Sequence, residues 1–352
     1  MIPATMTAVL LTGHGGLECL SIRDDVPVPV PAADEVLIRV GAAGLNNTDI
    51  NLRIGWYSKA GGANARPVAA DAGWTGAAIE FPRIQGADCC GRILAVGTAT
   101  DPKRLGERVL VNPILAGVGD GSGLAPRYLG SDRDGAFAQF LCVPTASAVR
   151  VESRLTDVEL ASFPCAYTAA ENMLSRANVV AADTVLVTGA SGGVGSAAVQ
   201  LARRRGARVY AVAGESKAAA VASLGADRVL RRDEDLLAEL GRDSVSVVID
   251  VVGGGEFAGL LGLLARGGRY AVAGAIAGAE VTLDLRTLYL NDLALFGCTI
   301  AAPGLFEALV GYIVRGEIKP TVSATYPLRA IAAAQQAFLT KAHVGKIVLV
   351  PD

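Results

Sequence analysis

The sequence predicts an α/β protein of two domains, one of them built on a doubly wound parallel sheet. Three observations carry that expectation. Residues 184–195, TVLVTGASGGVG, read as a short β-branched strand that runs into a glycine-rich turn. Residues 196–206, SAAVQLARRRG, read as the following helix, with Ala198, Leu201 and Ala202 on one face, and residues 208–213 as the next strand. The chain of 352 residues is also 51% hydrophobic and carries 42 glycines, which is enough apolar mass for two cores and too much glycine for a coiled coil.

In chain order, residues 6–11 form a first strand, and the alternation VPVPVP over 26–31 is an extended edge. EVLIRV, 35–40, alternates as a half-buried strand does. Asn47, Thr48 and Asp49 form a helix-start cluster for a short helix ending near Gly55. Two long connections, 58–80 and 112–134, contain Trp74 and Tyr128 and are expected to shape a pocket. A strand covers 141–149, and a helix starts over 156–161. Beyond residue 213, helices are expected over 218–225, 233–240 and 304–316, and strands over 228–230, 269–273, 293–299 and 346–350. VSVVIDV, 245–251, reads as an apolar run without alternation, as a parallel strand covered on both faces should.

The strand–turn–helix–strand unit at 184–213 meets the physical requirement for a dinucleotide site. Gly192 lets backbone approach a pyrophosphate, and Gly195 lets helix pack on strand. Gly193 and Val194 present helix N-terminal N–H groups, and Ala190 stands where the first glycine of G-x-G-x-x-G would be. Ligands of such sheets bind at the C-terminal strand ends, so Val252, Gly253, Gly274 and Ala275 should line the nicotinamide half. The tip of the second strand, Val212-Ala213-Gly214, carries no acid to hold ribose hydroxyls. Gly214 leaves room for a phosphate that Ser216 and Lys217 can bind, and Arg232 can stack on adenine or pair with that phosphate. This pattern favours NADPH. Glu215, next to the tip, keeps NADH open.

The formal net charge is −2 with no basic block, so nucleic acid and anionic membrane surfaces are not expected partners. No apolar run reaches the ~18 residues of a bilayer span, and the N-terminus lacks the pattern of a signal peptide, so a cytoplasmic protein is expected. The six cysteines (Cys19, Cys89, Cys90, Cys142, Cys165, Cys298) are scattered, and only His14 and His343 are available as imidazole ligands, so a His/Cys metal site is not expected.

Several ordered segments together resemble the medium-chain dehydrogenase/reductase superfamily: GLNNTDINLRIGWY (44–57), FPRIQGADCCGRILAVG (81–97), GERVLV (106–111), DGAFAQF (134–140), TGASGGVG (188–195), DVVGG (250–254), GGRYAVAGAIAG (267–278) and GKIVLV (345–350). The resemblance implies a GroES-like β-rich catalytic domain over 1–155 and 303–352 and a Rossmann domain over 156–302. Zinc enzymes of this superfamily place cysteine where Asn46 and Asn47 stand and histidine where Ala87 stands, and they carry a four-cysteine lobe where 112–135 has none. Cys89 and Cys90, neighbours in a strand, point to opposite faces and read as buried small hydrophobes.

The resemblance is therefore to the zinc-independent branch of quinone oxidoreductases and enoyl reductases. It implies Tyr57 as proton donor, Asn46 as an orienting group, Asp49 as a local cap, and Thr168 as a bond to the nicotinamide carboxamide, with Cys165 beside it in a packing role. Lys346 reaches either the cofactor or solvent, and Arg53 either substrate or solvent. The implied function is hydride transfer from NADPH to an enone, enoyl thioester or quinone. The alternatives are a zinc-free alcohol/carbonyl oxidoreductase and a non-catalytic NADP(H)-binding sensor or structural protein. A homodimer paired through the last strand of the sheet and a small-molecule substrate complete the expectation.

Overall fold

The computed structural model describes residues 1–58, 69–115 and 127–352. Parts of both long connections noted above therefore lie outside the described residues. The chain divides into two compact units, Met1–Cys165 with Val322–Asp352, and Ala166–Thr321. The sequence expectation set these limits at 155/156 and 302/303.

The first unit is β-rich. Its central strand, Glu35–Gly44, pairs antiparallel with Cys90–Val96, Phe140–Pro144 and the C-terminal strand Lys346–Val350. Lys346–Val350 pairs in turn with Val322–Pro327. A smaller sheet of Leu20–Pro27, Thr5–Leu11 and Arg83–Ile84 packs into the same core of Val36, Ile38, Ile93, Phe137 and Leu349. The strand expected over 141–149 is two strands, Phe140–Pro144 and Ala148–Arg150, because the tight turn Thr145–Ser147 follows Pro144, whose ring removes a ladder donor.

The second unit is a six-stranded, all-parallel sheet in the order Arg228–Arg231, Arg208–Ala213, Thr184–Val187, Val245–Asp250, Leu264–Val272, Ala294–Gly297. The strands Thr184–Val187, Arg208–Ala213 and Val245–Asp250 are rich in valine and almost wholly buried, as strands of a parallel sheet are when both faces are covered. Strand order reverses between Thr184–Val187 and Val245–Asp250, which is where such sheets take ligands. The helix of the glycine turn starts at Gly193 rather than Ser196, with Gly192 as its cap. The helix expected over 233–240 is only Leu236–Leu240. Asp235 caps it by accepting from the Leu237 and Ala238 N–H groups at 2.9 and 3.1 Å. No described helix is long and apolar enough to cross a membrane.

Candidate functional site

In the first unit, the helix Asn47–Arg53 is fixed at its start by Asp49, whose Oδ2 accepts the Asn46 N–H at 2.8 Å. Burial pushes the Asp49 carboxyl up to about 7, with Lys346 opposing that rise. The Asn46 side chain then bridges two buried charges. Its Nδ2 donates to Asp88 Oδ2 at 2.9 Å, and its Oδ1 accepts from Lys346 Nζ at 2.5 Å. Lys346 Nζ lies 2.7 Å from Asp88 Oδ2 and donates to the Leu45 carbonyl at 2.6 Å. The remaining Asp88 oxygen accepts the Cys165 N–H at 2.6 Å. Asp88 is 0% exposed and Lys346 3%. The solvent-facing reading of Lys346 is thus overturned: its ammonium is engaged by oxygens of its own unit. Arg53 is corrected likewise. It is buried, donating from Nε to Gln335 Oε1 at 2.9 Å and from Nη1 to the Gly15 carbonyl at 2.8 Å, so it ties helix to loop and does not lie on a solvated face.

Beside this network, Tyr57 shares a small pocket with Thr48, Asp49, Trp74 and Tyr128. Trp74 stacks on Tyr128 at 4.3 Å between centroids and 20° between planes, and its backbone N–H donates to Ser131 Oγ at 2.9 Å. The Tyr128 hydroxyl lies 3.0 Å from Cys165 Sγ. The Thr48 hydroxyl is buried without a hydrogen-bond partner. Burial holds the Tyr57 phenol well above its ordinary range, against a hydrogen bond from Asn51 that lowers it, and burial pushes the Cys165 thiol up to about 12. At neutral pH the Tyr57 hydroxyl in this pocket and the Cys165 thiol against Tyr128 are therefore un-ionised donors, beside an Asp49 carboxyl poised to take or give a proton. Burial raises both Cys89 and Cys90 as well, so neither is a ready thiolate.

In the second unit, the glycine turn is built as its residues require. Gly189 sits at φ +55°, the Ala190 N–H donates to the Val212 carbonyl at 3.0 Å, and the first ladder bond of the helix runs from Ser196 N–H to the Gly192 carbonyl at 2.8 Å. The N–H groups of Gly193, Val194 and Gly195 precede that bond and have no acceptor within the helix. Gly214 has open space, its nearest would-be neighbour being Lys217 Cε at 3.9 Å. Arg232 is tied to the same strand end by its N–H on the Ala213 carbonyl at 3.1 Å. Lys217 is lowered from its ordinary range, first by burial and then by the charge of Arg232; Ser216 beside it is exposed. Glu215 lies within charge range of Arg231, whose guanidinium Asp233 raises first.

Val252, Gly253, Gly274 and Ala275 come together. Gly253 takes φ +66°, and a Cβ there would meet Ala275 Cα at 3.1 Å; one on Gly274 would meet the Val251 carbonyl at 2.7 Å. Beneath them lies Asp250, which the sequence reading passed over inside its apolar run. Its oxygens accept the Thr188 hydroxyl at 2.6 Å, the Val252 and Gly253 N–H groups at 2.8 and 3.1 Å, and the Tyr270 hydroxyl. The available signal was that single charge among valines and isoleucine, because a buried carboxylate must have partners. Thr168 is buried with its hydroxyl unpartnered, an orphan donor that a ligand amide would satisfy.

Comparison with known proteins places these features. Residues 32–153 match the alcohol dehydrogenase GroES-like domain, and residues 193–315 match the family described as zinc-binding dehydrogenase. The acryloyl-coenzyme A reductase of Metallosphaera sedula is 31% identical, over 98% of this chain and 99% of its own. Human quinone oxidoreductase is 27% identical, over 98% and 97%. The crystal structure of a putative alcohol dehydrogenase from Sinorhizobium meliloti superposes with a TM-score of 0.92 at 48% identity, over 100% of this chain and 98% of that one. The metal in the matched family's description does not fit the residues present. Asp88 and Asn46 are turned onto the Lys346 ammonium, and no group of three or more His, Cys, Asp or Glu among the described residues could hold a metal ion.

Proposed function

This chain belongs to the medium-chain dehydrogenase/reductase superfamily and is an oxidoreductase, and from that premise we propose that it reduces an activated C=C bond or a quinone with NADPH, without zinc. The observation that carries the reading is the pairing of a buried ammonium with Asp88 and Asn46, next to a pocket of un-ionised tyrosines. When bound, the reduced nicotinamide supplies a hydride to the electron-poor carbon. That addition leaves an enolate on an enone or enoyl thioester, and Tyr57, whose phenol keeps its proton through neutral pH, gives its proton to this stronger base, while the phenolate left from a quinone takes its proton from water. The Gly193 and Val194 N–H groups would hold the pyrophosphate, Thr168 would hold the carboxamide, and the loops at Val252–Gly253 and Gly274–Ala275 would line the nicotinamide half.

The test is NADPH oxidation against a 1,4-quinone, an alkyl enone, an enoyl thioester and an aldehyde, with metal content measured on the same sample. Turnover of at least one of the first three in metal-free protein is expected, and Tyr57→Phe should lower it ~100-fold with cofactor affinity kept. Stoichiometric zinc with aldehyde turnover alone would overturn the reading.

The NADPH preference rests on the open space at Gly214 and on Lys217 and Arg232 at the same strand end, two cations within reach of a 2′-phosphate placed there. Lys217→Ala should weaken NADPH ~10-fold and NADH less than twofold, as read by fluorescence titration. Equal losses would remove the phosphate site.

We also propose a homodimer. Ala294–Gly297 is an open sheet edge, and Leu285 (64% exposed), Tyr289 (63%) and Leu290 are apolar surface in the residues leading to it. Light scattering should return twice the 36.0 kDa chain mass, and a single-chain mass would refute the pairing.

A further inference from the structure

Lys346 Nζ has three protons and three oxygen partners, the Asn46 Oδ1, the Leu45 carbonyl and Asp88 Oδ2, at 2.5, 2.6 and 2.7 Å. These oxygens come from segments far apart in the chain: the start of the helix Asn47–Arg53, the residues before the strand Cys90–Val96, and, for the ammonium itself, the start of Lys346–Val350. The set is one carboxylate, one side-chain amide and one backbone carbonyl, which is the donor chemistry that hard cations take. The orientation of the amide is fixed, because Asn46 Nδ2 is spent on Asp88 Oδ2 and on the Gly44 carbonyl at 3.3 Å. Gly44 closes one side of the cradle: a Cβ there would stand 2.5 Å from Asp88 Oδ2 and 3.1 Å from Lys346 Cε.

We infer that the Lys346 side chain is the resident cation of an oxygen-lined cation site, cross-linking these segments and keeping divalent metal ions out. A metal ion entering here would lie within bonding distance of the same oxygens and against a fixed positive charge. The ammonium must leave before the metal can bind. The tether makes this cation permanent, whereas a free ion would be lost to a chelator.

The inference takes the zinc-free reading of this site as its premise. Its test reads metal uptake and not turnover, so a silent acceptor panel and a failed uptake experiment remain distinct results. The full-length protein, Lys346→Ala and the double variant Asp88→Asn/Lys346→Ala are dialysed against Mn²⁺, the probe suited to oxygen ligands, and bound metal and melting temperature are measured. The wild type should take up none and melt unchanged. Lys346→Ala should bind one equivalent and gain ~5 °C with metal, and the double variant should bind none. Three results would overturn the inference: no uptake by Lys346→Ala, uptake that persists in the double variant, or uptake of one equivalent by the wild type. Should Lys346→Ala fail to accumulate folded, its refolding from urea with and without Mn²⁺ decides. Metal-dependent recovery supports the cradle, and equal failure refutes it.

Discussion

Asp250→Ala should lower the melting temperature by ~10 °C and abolish measurable cofactor binding even where the variant stays folded. The carboxylate is fully buried and is the common acceptor for the Thr188 hydroxyl, the Tyr270 hydroxyl and the Val252 and Gly253 N–H groups. Removing it strands these donors in an apolar interior, each at a cost of ~1–3 kcal/mol. Partial collapse and entering water reduce the sum, so ~4 kcal/mol is the expected net loss. Burial and the neighbouring carboxylate both hold the Tyr270 phenol above its ordinary range, so that partner stays a donor at any working pH.

The functional half of the prediction follows from position. Thr188 follows Thr184–Val187, Tyr270 sits in Leu264–Val272, and Val252 and Gly253 follow Val245–Asp250, so Asp250 joins three adjacent strands at their ligand-binding ends. Asp250→Asn is the informative companion. It keeps one acceptor oxygen and turns an NH₂ toward remaining donors, so its stability should fall between wild type and alanine, with cofactor affinity reduced but measurable. Urea midpoints at constant slope separate the three proteins. An alanine variant as stable as wild type would mean that water replaces the carboxylate without loss.

Asp250 also marks where reading the sequence stops. The parallel sheet was legible because its strands are short apolar runs at regular spacing, and the run from 208 to 213 is a strand over those same residues. The glycine turn was legible because its steric demands act within a few residues. Partnerships between distant residues leave no such local trace. Asn46 and Lys346 were each singled out, yet their contact spans 300 positions, and Asp88, which holds both, was not singled out at all. Arg53 was assigned to substrate or solvent because helical periodicity says which face a residue occupies. It does not say that Gln335, 282 positions away, closes that face. A lone charge inside an apolar run is the one sequence feature that announces such a partnership. Asp250 has that feature, and burial makes its partners obligatory.

The glycine turn separates two roles that its motif merges. A Cβ on Gly195 would lie 2.2 Å from the Gly189 carbonyl oxygen and 2.7 Å from Ala190 Cα, both backbone atoms of the turn itself. No rotamer relieves that clash, so the helix Gly193–Arg204 must move away from the strand it packs on. Gly195→Ala should therefore cost ~3 kcal/mol and cofactor binding together. A Cβ on Gly192 would meet nothing nearer than the Gly189 carbonyl oxygen at 3.5 Å, an ordinary contact, and its φ of −78° suits any residue. Gly192→Ala should then melt within ~2 °C of wild type, since the fold makes no demand on that position. If backbone there approaches a pyrophosphate, the added methyl occupies the space of a phosphate oxygen, and affinity for NADPH should drop by ~100-fold in a stable protein. Calorimetric titration alongside thermal melts checks both variants. Unchanged affinity in Gly192→Ala would place the pyrophosphate elsewhere, while wild-type stability in Gly195→Ala would mean that the turn relaxes freely and that its packing is not what demands a glycine.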